Sequence, residues 1–377
     1  MWDRSLRKLG ETLADDQRRS HWLGRVIRIL KRLTLAISLC YVASLLALIL
    51  IFRFVGEKNV TFAALLYLPR QGFLLPLALL MPLSLIFHRK SLAILVLAAA
   101  IFAKIGMGFV LGSKPDPLTP AGPREITVMT YNRGQNMKQS LQPFKEATVP
   151  DIIAFQEAAG RAIRYAKAEG YEDLPHTADT GEFTLLSRYP ILSEERIEIL
   201  VGDNVQRPAA RFEIDFDGTR VAFYSVHVAS PRGALLSYRG GAFLYGILGY
   251  AGSPWEDLRK THQAYWDARI EVTRKLLDRI EAETIPVLIC GDFNAPAGGY
   301  IHRMVRSRFL DAHATAGRGF GFSFPGKTSN PLSLGGPWLR IDYLFCPESE
   351  WTPLWCVTES DRASQHRAVT ARFRFKE

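Results

Sequence analysis

In the last two thirds of this 377-residue chain, apolar runs are repeatedly ended or interrupted by residues able to do chemistry: Asn132, Gln156, Glu157, His227, Asp292, Asn294, Asp342, Gln365 and His366. Carboxylates and side-chain amides offer hard oxygen ligands of the kind Mg²⁺ takes, and an imidazole exchanges its proton near neutral pH. Strand ends are where a sheet scaffold holds a site rigidly. Taken singly, each has an ordinary explanation. Asn132 suits a turn, Asp292 and Asn294 suit an Asx turn after a buried strand, and His227 suits a hydrogen-bonded core position. Together, in one chain, they are hard to assign to turns.

The elements that must position them are short. EITVMTYN, DIIAFQEA, EFTLLSRYPI, RFEIDFDGTRVAFYSVHV, IPVLICGDFN, LRIDYLF and RAVTARFRF are rich in β-branched and aromatic residues, which marks strands. Asp217-Gly218 between two of these runs is a hairpin signal. From Trp255 to Ala282 the period changes, with Ile270, Leu276, Leu277 and Ile280 on one helical stripe. The inventory fits an α/β domain with two packed sheets.

At these residues the chain resembles the endonuclease/exonuclease/phosphatase superfamily, which includes deoxyribonuclease I, abasic-site endonucleases, neutral sphingomyelinases and inositol-polyphosphate 5-phosphatases. The resemblance rests on TYN (130–132), FQEA (155–158), LSRYPI (186–191), VH (226–227), GDFN (291–294), RIDYLF (340–345) and SQHRAV (364–369), in order over residues 125–375. It implies a two-sheet α/β sandwich of the deoxyribonuclease I type and metal-dependent hydrolysis of a phosphoester. Such a reaction needs a cation on the phosphoryl oxygens and a positioned water. The resemblance makes Glu157 the principal ligand of Mg²⁺ or Mn²⁺, with Asn132 beside it. Asp292 would orient or deprotonate the water and Asn294 hold the phosphate. His366 would stabilise the transition state or assist proton transfer, with Asp342 fixing its tautomer. His227 would complete the phosphate pocket. The chain departs from the family at Gln365, where an Asp is usual. Gln365 takes that position among the metal-site residues, and its neutral amide puts the number of metals in doubt.

Between His227 and the helix lies an insertion rich in Gly and aromatics, in which AFLYGILGY is an apolar run. Exposed, it would mark a membrane or ligand contact; folded back, it would pack on the domain. Arg207, Arg211 and Arg232 are candidates for phosphate contacts, Arg207 and Arg232 foremost.

Residues 1–111 read as a membrane anchor of about three helices, with spans near 33–52, 68–87 and 91–111; residues 112–124 as a Pro-rich linker; and residues 125–377 as the catalytic domain. About 20 apolar residues suffice to cross a bilayer, and the first run meets this without a charge. The second, broken by Pro76 and Pro82, is the weakest and also suits a re-entrant segment. Trp22–Leu30 suits either a surface-lying helix or an extension of the first span. A 20-residue apolar core without a small-residue cleavage site suits an uncleaved anchor better than a signal peptide. Arg18, Arg19, Arg25, Arg28, Lys31 and Arg32 precede the first span, and Arg89 and Lys90 separate the other two. With three spans this puts the N-terminus in the cytoplasm and the catalytic domain outside it, at the plasma membrane. With two, the domain would be cytoplasmic.

Residues 1–111 hold 15 Lys and Arg against 5 Asp and Glu; of the chain's 47 basic and 37 acidic residues the remainder therefore holds 32 of each. The net charge of +10 thus sits with the anchor, which weakens a nucleic-acid reading of the domain. The expected partners are the lipid bilayer and a phosphoester, lipid-linked in preference to nucleic acid. The alternatives are an extracytoplasmic endonuclease or exonuclease, and a catalytically weak binding or scaffold protein that keeps the fold. The four cysteines have no metal-site spacing. Cys346 and Cys356 bracket the turn-like PESEWTPLW, which leaves open a disulfide between neighbouring strands or two buried thiols.

Overall fold

A computed structural model describes residues 2–112, 116–134, 140–238, 241–326, 331, 334–361 and 365–376, without the side chains of residues 2–20 and 242. Part of the linker (113–115) and Ser364 of the last motif lie outside the described residues.

The chain divides into two compact units, one of residues 1–48 and 72–103, the other of 49–71 and 104–377. In the first, the long helix Trp2–Phe54 contributes all but its last turns, followed by helices Leu77–Phe87 and Arg89–Ile101. His88 caps the latter, its Nδ1 accepting from Ser91 N. Pro82 lies inside Leu77–Phe87, and a π turn, Phe102–Gly106, follows Ile101. Two stretches among the described residues are long and apolar enough to cross a membrane, His21–Phe54 and Arg70–Phe87. Over the third expected span, 91–111, helix Arg89–Ile101 is continued by that π turn.

The second unit is a sandwich of two six-stranded mixed sheets. Its strands are β1 Glu125–Asn132, β2 Ile152–Gln156, β3 His176–Thr180, β4 Phe183–Ser187, β5 Ile191–Val201, β6 Asn204–Phe216, β7 Thr219–His227, β8 Val287–Asp292, β9 Leu310–Asp311, β10 Asp342–Cys346, β11 Trp351–Thr358 and β12 Val369–Phe375. One sheet runs β11-β12-β1-β2-β4-β3, the other β5-β6-β7-β8-β10-β9. Alternation decides what each face meets. Val128, Ile152 and Ala154 point into the core between the sheets with Phe212, Phe223, Leu288 and Leu344, while Met129, Ile153 and Phe155 pack outward. Helix Glu256–Glu281 covers the outer face of the second sheet through Leu276, Leu277 and Ile280. The β6–β7 turn uses Asp217 and Gly218 at φ 50° and 87°, the left-handed pair that a tight hairpin requires.

One stretch differs in part from the sequence reading: PESEWTPLW is a turn over 348–350 only, and Trp351 opens β11, an edge strand that accommodates Pro353 at a register shift. Because β10 and β11 belong to different sheets, Cys346 and Cys356 are not on paired neighbours. Both are free, buried thiols of the core.

Candidate active site

Strand register brings the polar residues together. β1 and β2 are parallel and pair Asn132 with Gln156; β7 and β8 are parallel and pair His227 with Asp292; β10 runs antiparallel to β8 and pairs Asp342 with Asp292. β12 runs antiparallel to β1 and is entered from His366. The carboxyl ends of four strands and the entries of two therefore meet at one edge of the sandwich. Between the sheets, Gln156 Nε2 donates to Ser225 Oγ at 3.0 Å, which ties the two halves of this edge. Gly291 is required here: at φ 133° its absent Cβ would lie 2.0 Å from Val226 O.

Oδ2 of Asp292 is the centre of the cluster. It accepts from Asn132 Nδ2 at 2.9 Å and Asn294 Nδ2 at 3.1 Å, and lies 3.8 Å from Nε2 of both His227 and His366. Oδ1 accepts from Asn294 N at 2.8 Å. Glu157 Oε1 accepts from Asn132 Nδ2 at 3.3 Å and stands 3.8 Å from His227 Nε2. Each imidazole has a carboxylate behind it. His366 Nδ1 is 3.1 Å from Asp342 Oδ2, and His227 Nδ1 is 3.1 Å from Glu182 Oε1. Asn132, Asp292, Asn294, Asp342 and His366 are buried, whereas the Glu157 side chain keeps 36% of its surface. Glu157 and Asn294 both hold positive φ, 53° and 49°, the kind of backbone strain that persists where surrounding structure imposes it.

The charges are set by this crowding. Burial, then the Asp342 carboxylate, push Asp292 up to about 6 against the pull of the two histidines. Burial opposes a charge on His366, but Asp342 and Asp292 outweigh it and raise its pKa to about 9. Burial opposes a charge on His227 too, and Glu182, Asp292 and Glu157 likewise carry it to about 9. Both imidazole Nε2 atoms thus face Asp292 Oδ2, and protons held there would favour an anion beside it.

The donor set fits a hard divalent cation. Glu157 and Asp292 both reach the Asn132 amide, and the exposed edge of Glu157 leaves room for the waters that Mg²⁺ retains. Asp292, Asp342 and His366 also offer atoms within 4.8 Å of one another. The hydrogen bond between His366 Nδ1 and Asp342 gives that pair a proton-holding role, so Glu157 and Asp292 are the better ligand candidates.

The remaining sequence candidates lie further out. The Gln365 side chain is exposed, and its main-chain carbonyl accepts from Gly326 N at 2.7 Å. Arg207 pairs with Glu198 at 2.8 Å and, with His227, Val228, Tyr265 and Val272, lines a cavity of about 340 Å³. Arg211 is committed to Glu283 at 2.7 Å, and Arg232 stands exposed at the start of helix Arg232–Ser237. Glu182 escaped the sequence reading, because a lone acid after a glycine at a strand entry carries no signal of its partner.

Solved structures of similar fold include a humanised TDP2 of D. rerio (15% identity, 67% of this chain and 99% of that one, TM-score 0.46). Others are an endonuclease/exonuclease/phosphatase from Beutenbergia cavernae (16%, 67% and 72%, 0.45) and the 3′ phosphatase NExo from Neisseria bound to product DNA hairpin (15%, 67% and 100%, 0.41). No curated protein matches the chain. The family model described as Endonuclease/Exonuclease/phosphatase family matches residues 134–366, more than half of the length, and with the fold and the site as described the chain belongs to that family.

Proposed function

We propose that this protein is a membrane-anchored, divalent-cation-dependent phosphoester hydrolase whose substrate is lipid-linked. The observation that carries the hydrolytic reading is Asp292, buried, with two amides and two imidazoles directed at one carboxylate oxygen. A cation held by Glu157 and Asp292 would draw charge from the phosphoryl oxygens. Asp292 takes the proton of the attacking water as its oxygen bonds to phosphorus, and the ester P–O bond opposite breaks. His227 and His366 neutralise the phosphoryl charge through Nε2–H, and His366 supplies a proton to the leaving oxygen. Asp342 holds the His366 tautomer. Asn294, whose Nδ2 donates one N–H to Val228 O at 2.9 Å and the other to Asp292 Oδ2, would turn the second to a phosphoryl oxygen once Asp292 holds the cation.

The insertion favours a lipid. Residues 229–255 include two short helices, Arg232–Ser237 and Ala242–Leu248, and leave Leu236, Leu244, Ile247 and Tyr250 at least half exposed. Helix Ala242–Leu248 packs on helix Val60–Leu66 so closely that a Cβ at Gly246 would lie 1.9 Å from Thr61 Oγ1. That second helix belongs to the 49–71 segment, and both ends of the segment continue into apolar helices. An apolar surface beside such a segment suits contact with a bilayer.

With the basic flank ahead of the first apolar helix in the cytoplasm and three spans, the catalytic domain is extracytoplasmic. Full-length protein in detergent, given Mg²⁺ with plasmid DNA, RNA or phospholipid vesicles, tests the proposal. Cleavage of nucleic acid without lipid hydrolysis would overturn the choice of substrate; hydrolysis of none would overturn the activity.

A further inference from the structure

The segment between the first two apolar helices is built into the catalytic loop. Tyr67, buried, donates its hydroxyl to the main-chain carbonyl of Asn294 at 2.6 Å. Arg269 of helix Glu256–Glu281 donates Nη2 to the same carbonyl at 2.9 Å and Nη1 to the Tyr67 oxygen at 3.1 Å. Trp266 packs against both, 5.6 Å from the Tyr67 ring and 5.4 Å from the guanidinium, and Trp338 Nε1 donates to Tyr67 O at 3.1 Å. Two further points hold the residues that follow. Arg70 donates to Ala297 O, and the buried Glu57 carboxylate accepts from Tyr300 N at 2.9 Å and Ile301 N at 3.4 Å. Residues 294–301 are therefore pinned by three side chains more than 200 positions upstream.

Asn294 is where this matters. It is a non-glycine residue at φ 49°, a left-handed conformation that the surrounding structure must hold. Its amide reaches Asp292 and Val228 only while the main chain stays in that conformation. The two donors on its carbonyl are the support. We propose that Tyr67 is a positioning residue for hydrolysis: through the Asn294 carbonyl, and together with Arg269, it fixes the direction of the Asn294 amide, which makes the anchor's loop part of the catalytic machinery. This rests on Asn294 acting on the substrate, as proposed above.

The test is a double-mutant cycle in the full-length, detergent-solubilised protein with Mg²⁺ and a soluble phosphodiester, with Tyr67→Phe, Asn294→Ala and the pair. Tyr67→Phe removes one hydroxyl and keeps the ring against Trp266. It should lower kcat roughly ten- to hundredfold with little change in KM, the scale of a misaimed catalytic group. In the Asn294→Ala background it should have no further effect, because a residue acting through Asn294 has nothing left to aim. A Tyr67→Phe enzyme with wild-type kcat, or one whose loss multiplies with that of Asn294→Ala, would overturn the proposal. If wild type and Asn294→Ala hydrolyse alike, the reading of Asn294 fails instead, and a crystal structure of Tyr67→Phe decides the rest. Asn294 turned out of its left-handed conformation would support the positioning role; Asn294 unmoved would overturn it.

Discussion

His366 directs Nε2 at Oδ2 of Asp292 from 3.8 Å while its Nδ1 is held 3.1 Å from Asp342. In the proposed reaction the two groups have opposite tasks, Asp292 to take a proton and His366 to give one, and their surroundings raise both pKa values so that the pair brackets neutrality. Asp292 rises to about 6 and His366 to about 9. Activity should therefore rise with pH through about 6, as Asp292 ionises, and fall through about 9, as His366 loses its proton. A bound cation lowers both limbs. Asp342→Asn removes a carboxylate that raises His366 and should move the basic limb down. A basic limb unmoved in that variant would separate His366 from it.

Glu157 keeps an edge to solvent and shares the Asn132 amide with Asp292. Glu157→Gln should raise the Mg²⁺ concentration for half-maximal activity at least by the roughly 10–100-fold that lost outer partners of a metal ligand cost. Mg²⁺ should raise the apparent melting temperature of wild type and do so much less for Glu157→Gln. An unchanged Mg²⁺ dependence would place the cation elsewhere.

Away from the site, His302 and His313 are buried, and burial lowers each to about 4. His302 is fully engaged while neutral: Nδ1 accepts from Gly298 N at 3.1 Å and Nε2 donates to Asp311 Oδ2 at 3.0 Å. The folded-state pKa lies below the unfolded value of 6.5, so the unfolded chain gains protons first as pH falls. The stability present at pH 7 is lost between about 6.5 and 4, by about 2 kcal/mol per histidine from pH 7 to 5. The apparent melting temperature should drop over that interval, and the slope should be shallower in His302→Gln. A flat profile would mean that these rings are not buried neutral.

Leu244 and Ile247 project from the insertion with more than half of their surface exposed. Leu244→Asp with Ile247→Asp should reduce hydrolysis of vesicle lipid about tenfold or more, given roughly 1.5–3 kcal/mol for each buried side chain of this size, and leave a soluble phosphodiester untouched. Equal losses on both substrates would assign these residues to folding rather than to a membrane.

The legible parts of the chain are those whose information is local. Period-2 runs exposed the central strands, Asp217-Gly218 the hairpin, and the apolar stripe from Ile270 to Ile280 the covering helix. GDFN, FQE and IDY stood out because polar residues at strand ends break a local pattern, and register then brings Asn132, Asp292 and Asp342 together. Strands β3 and β11 were harder: both are sheet edges, one half-buried throughout, the other containing Pro353, so neither shows clean alternation. The 49–71 segment was illegible for a different reason. Glu57 and Tyr67 fall between the expected spans 33–52 and 68–87 and Arg70 within the second, and their partners at 294–301 are visible only once the chain has folded. Glu182 behind His227, and Asp311 between His302 and Arg340 at 3.0 and 2.8 Å, are pairings of the same kind.

If Asp292 is the proton acceptor of a cation-dependent phosphoester hydrolase, its removal must abolish turnover without unfolding the protein. The most direct measurement is the rate of hydrolysis of a soluble phosphodiester by the full-length protein and by Asp292→Ala, with Mg²⁺ and with EDTA. Hydrolysis should require Mg²⁺ and fall by about a thousandfold or more in Asp292→Ala, the combined cost of a general base and a ligand, while melting stays cooperative. A folded Asp292→Ala protein that hydrolyses the ester at the wild-type rate would contradict it.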